Sequence, residues 1–124
     1  MKTSFLKTLL ITVSLFGFNA STLAHGDETP QHGGVVKVEH EMIFELVRED
    51  SGASLYLRDH GKPYSTEKLT GNLTVLASGK KLDSKLVPAG GNKMTAELAI
   101  PDGAKVLVKV KEDQHHSVTV RFSF

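Results

Sequence analysis

At 124 residues, with 15 Lys and Arg against 14 Asp and Glu and no cysteine, the chain has room for one hydrophobic core. The missing cysteines exclude disulfides, thiolate metal sites and cysteine nucleophiles. Two basic residues, Lys2 and Lys7, stand at the extreme N-terminus, and beyond them thirteen basic residues face fourteen acidic ones. That balance gives no reason to expect nucleic acid or an anionic membrane as partner.

The N-terminal stretch reads as a secretory signal peptide. Lys2 and Lys7 form a positive end, and residues 9–18 form an apolar core. About 10 apolar residues are too few for a bilayer of about 30 Å but suit a signal h-region. Thr22 and Ala24 supply the small-residue pattern before a cut. Residues 1–24 are therefore expected to be removed. The mature chain would start at His25 in a bacterial periplasm, with no stable membrane insertion.

Residues 25–33, HGDETPQHG, are expected to be a flexible polar lead-in. Residues 34–124 read as the domain. Residues 35–38 form a first strand. Residues 40–48 form a second, with Met42, Phe44 and Leu46 on one face and Ile43, Glu45 and Val47 on the other. Asp50-Ser51-Gly52 is a turn, and residues 53–58 are a third strand with Leu55 and Leu57 opposite Tyr56. Residues 59–63, DHGKP, read as a turn, and 64–70 as either loop or edge strand.

Further strands are expected over 72–77, 82–87, 93–100, 106–110 and 118–122, with turns at Ser78-Gly79, at 89–92 and at Pro101-Asp102-Gly103. Alternation with a period of two, broken by turn residues about every 8–12 positions, predicts an all-β, antiparallel, immunoglobulin-like sandwich of seven or eight strands. The expected core is Phe44, Leu46, Leu55, Leu57, Val75, Leu98, Val108, Val118 and Val120. The lysine clusters at 80, 81 and 85 and at 105, 109 and 111 alternate with apolar residues. They read as solvated strand faces.

No nucleophile elbow, zinc-protease helix or phosphate-binding glycine loop is present, so the chain does not read as an enzyme. Its chemistry lies in six histidines: His25, His32, His40, His60, His115 and His116. Each falls at a terminus, a strand start or a turn. Imidazole is the commonest metal ligand and is largely neutral at pH 7. As the first mature residue, His25 would offer its amine and its Nδ1 together, a chelate suited to Cu(II) or Ni(II), with His32 seven residues on. His60, His115 and His116 are candidates for a second site. His40 and Met42 would share a strand face, a pairing suited to Cu(I). The expected ligand is thus a divalent Cu, Zn, Ni or Co ion. The alternative is a metal-free protein–protein interaction module of an envelope complex.

Three stretches carry a family resemblance. His32-Gly33-Gly34-Val35-Val36, Phe44-Glu45-Leu46-Val47 and residues 55–63, LYLRDHGKP, resemble a small periplasmic β-sandwich domain. That domain is found alone, or near the N-terminus of adaptor subunits of resistance-nodulation-division heavy-metal efflux pumps. The resemblance implies a periplasmic setting, an association with copper, zinc, cobalt or related cations, and an efflux adaptor or other envelope protein as partner. His32 and His60 carry over residue by residue. Where members often have Tyr-His before the Phe-Glu-Leu-Val run, this chain has Met42 and Ile43.

Overall fold

The computed structural model describes residues 28–124. The signal peptide, its cleavage point and His25 lie outside the described residues.

Nine antiparallel strands form, and no helix is present among the described residues. The strands are β1 (Val35–Glu39), β2 (Met42–Glu49), β3 (Gly52–Asp59), β4 (Lys62–Pro63), β5 (Leu69–Ala77), β6 (Lys80–Pro88), β7 (Lys93–Ala96), β8 (Lys105–Glu112) and β9 (Val118–Ser123). They pair in the order β1-β2-β3-β7-β6-β5-β8-β9, with β4 on β3. β6 joins two halves of this nearly closed sheet. Gly71 to Ala77 of β5 pair with β6 from Leu86 down to Lys80, while Val87 and Pro88 continue onto β7. β1 and β9 approach each other to close the wrap.

The halves meet over one core. Phe44, Leu46, Leu55, Leu57, Val75, Val108 and Val120 are all buried, each on the predicted inward face of its strand. Leu98 and Val118 are only partly buried and pack at its edge. Phe122 and Met94 add the bulk between them. Each fully buried Leu or Phe contributes about 1.5–3 kcal/mol of transfer free energy.

The differences from expectation are local. Residues 40 and 41 belong to a turn rather than to β2. With φ of +50° at His40 and +65° at Glu41, the backbone takes the primed geometry that matches strand twist in a two-residue hairpin. His40 and Met42 therefore do not share a strand face. His60-Gly61 makes the same kind of turn, and the two residues after it pair back on β3 as β4. Residues 64–68 are loop. β7 ends at Ala96, so 97–104 is an irregular connection in which Ile100 and Ala104 are nonetheless buried.

The outward face of β2 and β3 departs most from a wet strand face. Ile43 and Glu45 are 0% exposed and Arg58 is 2% exposed. The segment before β1 covers them. Glu45 Oε1 accepts the Gln31 N–H at 3.0 Å, and Oε2 accepts the N–H groups of His32 at 2.8 Å and Gly34 at 2.9 Å. Arg58 donates to the Thr29 carbonyl at 3.2 Å. The His32 ring stacks on Tyr56 with centroids 3.6 Å apart and planes within 8°. Both glycines of His-Gly-Gly have a reason to be there. Gly33 has φ +74°, and a Cβ on Gly34 would stand 2.5 Å from the Leu46 carbonyl oxygen.

Candidate metal site

Strand register brings several turns to one end of the sheet. The β1–β2 turn follows the pair Glu39–Met42, and the β3–β4 turn follows Asp59–Lys62. Met42 itself pairs with Asp59, so these turns are neighbours. β8 reaches the same end, where Glu112 pairs with Leu69. His40, His60, His115 and His116 therefore lie at this end, and His32 lies apart on the outer face of β3.

A cavity of about 370 Å³ opens there between the halves. Phe44, Leu57 and Val110 line it as apolar wall, with Met42, Glu112, His115 and His116 among its other walls. The Tyr64 hydroxyl donates to Glu112 Oε1 at 2.6 Å. That hydrogen bond, with burial, pushes the phenol above its ordinary range.

Two of these histidines have one ring nitrogen already engaged. His115 Nδ1 lies 3.1 Å from the backbone oxygen of Glu112, and the His115 N–H donates to the same oxygen at 2.8 Å. A carbonyl only accepts, so Nδ1 carries the hydrogen, and in the neutral form of the ring Nε2 is the nitrogen with the lone pair. His60 Nδ1 lies 2.8 Å from Asp59 Oδ1, which has the same effect on its Nε2. Anchoring one ring nitrogen on a carbonyl or carboxylate is how metal-binding histidines are oriented and made more basic.

His32 has a different setting. Its ring is exposed on the sheet face, held by the Tyr56 stack and by its own backbone bond to Glu45. Burial opposes charge on Glu45, but the three backbone donors and nearby His32 outweigh it and hold the carboxyl below the usual carboxylate range. His25, the expected partner of His32, lies outside the described residues. Among the described residues, no three His, Asp or Glu side chains stand close enough to hold an ion together. The structure thus brings His115, His116, Glu112 and Met42 to one cavity, puts His60 on a neighbouring turn and separates His32 from both.

The sequence reading passed over Glu45, Tyr56 and Arg58. A signal was present: Ile43 and Val47 put two apolar residues on the second face of β2, which favours a covering segment.

Comparison with protein-family models, curated proteins and solved structures finds no match to this chain.

Proposed function

We propose that this chain is a periplasmic protein that binds and buffers heavy-metal cations, accessory to metal efflux and without enzymatic activity. The observation that carries the reading is the anchored His115. His115 Nδ1 is committed to the Glu112 carbonyl, and His115 lines the same cavity as His116, Glu112 and Met42. Imidazole with carboxylate suits Zn(II), Ni(II) or Cu(II), and imidazole with thioether suits Cu(I). The His60–Asp59 pair supplies a second anchored imidazole. In the mature chain, His25 with His32 forms the other candidate pair, through the terminal amine and two imidazoles.

The resemblance to adaptor-type domains belongs to the same reading, as does an immunoglobulin-like sandwich as the finer description of the two halves. Its three stretches are in contact here: His-Gly-Gly on Glu45 of the Phe-Glu-Leu-Val run, and His32 on Tyr56.

Calorimetric titration of untagged protein starting at His25 tests the proposal. Cu(II), Zn(II), Ni(II) and Co(II) are added separately at neutral pH. A saturable heat with at least one ion is expected, reduced in His115→Ala/His116→Ala or in His25→Ala/His32→Ala according to the site that dominates. No heat with any ion, or unchanged binding when all four histidines are replaced, refutes it. The metal-free interaction module would then stand. One observation favours that reading: among the described residues, β6 pairs only with β5 from Lys80 to Leu86, leaving an open edge that carries Leu82, 53% exposed.

A further inference from the structure

The register gathers basic residues that are far apart in sequence onto one sheet face. Cross-strand partners share a face. On the outer side of β6, β5, β8 and β9, one row runs Lys81–Leu76–Lys105–Ser123. The next runs Asp83–Thr74–Leu107–Arg121, and the third Lys85–Asn72–Lys109–Thr119. Thr70–Lys111 follows. Six cations therefore stand on this face: Lys81, Lys85, Lys105, Lys109, Lys111 and Arg121. All six are exposed. Asp83 is the one carboxylate among the described residues of these rows. It is already engaged by the Thr74 hydroxyl at 2.5 Å and the Asn72 amide at 3.4 Å. The near-neutral charge of the whole chain conceals this because the other acidic residues lie elsewhere.

We propose that this face docks on an anionic lipid surface. Four strands at about 4.8 Å spacing, over the seven residues from Lys105 to Lys111, make a twisted plate of about 15 by 20 Å. An exposed basic face of this breadth suits an anionic surface, whereas a nucleic-acid duplex is read by elements that enter a groove. The rows hold no aromatic ring on which single-stranded bases could stack. Between the cations sit Leu76, 39% exposed, and Leu107, half-buried, which is the mixture of basic and apolar groups that interfacial binders present. At one end of the plate a cleft of about 520 Å³ is lined by Lys109, Lys111, Asn72, Gln114 and the two loop histidines among others, and by no carboxylate among the described residues. Its lining suits a lipid phosphate.

The test is co-sedimentation of untagged protein starting at His25 with phosphatidylglycerol–phosphatidylcholine vesicles. Binding is expected at low salt. It should be absent with pure phosphatidylcholine and lost at high salt, as screening requires. A cation near such a surface strengthens partition about fivefold. Lys85→Gln/Lys109→Gln/Lys111→Gln should therefore weaken binding about a hundredfold. Lys37→Gln/Lys62→Gln/Lys68→Gln, which removes the same charge from other surfaces, should change it only a few-fold. Asp83→Asn should strengthen it. Equal loss in the two triple variants overturns the proposal, as does absence of any preference for phosphatidylglycerol. Binding of duplex DNA without vesicle binding also overturns it.

Discussion

Replacing Glu45 by Gln tests whether the His-Gly-Gly segment is held by a buried carboxylate. The substitution keeps shape and volume but leaves one acceptor oxygen where two stood. That oxygen can take the His32 and Gly34 donors. The amide nitrogen then faces the Gln31 N–H, which loses its acceptor. An unpaired donor at a covered site costs about 1–3 kcal/mol, and losing the charge on the other two bonds costs about another 1 kcal/mol. A total of about 2–4 kcal/mol is expected from urea denaturation at pH 7, with an unchanged slope.

The pH dependence has a definite sign. A carboxyl whose folded pKa is depressed contributes stability that is fully present above its unfolded value of about 4.3. That stability is lost as the pH falls through the lower folded value. The difference between parent and Glu45→Gln should therefore be constant from pH 7 to about 5 and shrink below about pH 4. In the variant, the amides of Gln31, His32 and Gly34 should exchange faster with solvent. Equal stability at pH 7, or a difference independent of pH down to 2, would refute the reasoning.

Three further outcomes follow from the same geometry. Leu57→Ala removes a fully buried side chain between the halves and should cost about 2–5 kcal/mol in chemical denaturation. Gly34→Ala puts a methyl 2.5 Å from the Leu46 carbonyl oxygen, so β1 must shift; a loss of about 1–3 kcal/mol, with faster amide exchange at residues 31–34, is expected. Asp102→Ala breaks the 2.7 Å pair with Arg48, but Asp102 is 95% exposed, so its unfolding free energy should stay within about 1 kcal/mol of the parent's.

Most of the fold was legible because strand alternation is a direct record of which face is buried. Val106, Val108 and Val110 on β8 and Leu55 and Leu57 on β3 point inward as their spacing requires. The order of strands was not legible, since pairing between β3 and β7 or between β5 and β8 is long-range and leaves no periodic trace. Turn residues misled where they acted in pairs. His40-Glu41 looks like the start of a strand, and only the primed hairpin geometry removes it from β2. At the site, the histidines were visible as residue types. Their grouping at one end, and the Nδ1 anchoring of His115 and His60, depend on register and turn conformation. Summed charge concealed the basic plate for the same reason: charge is additive along a chain, while a face exists only after pairing.

Imidazoles at the cavity end are expected to take a metal through Nε2. Long-range proton–nitrogen NMR of the histidine side chains during titration with Zn(II) tests it most directly. Before metal, the neutral rings of His115 and His60 should carry their hydrogen on Nδ1. As Zn(II) is added above pH 7, their Nε2 resonances and those of His116 should move to saturation. The movement should reverse on acidification, because protons compete with the metal for imidazole ligands. Nε2-protonated rings in the free protein, or Nε2 resonances of His60, His115 and His116 that stay fixed at saturating Zn(II), would contradict the account.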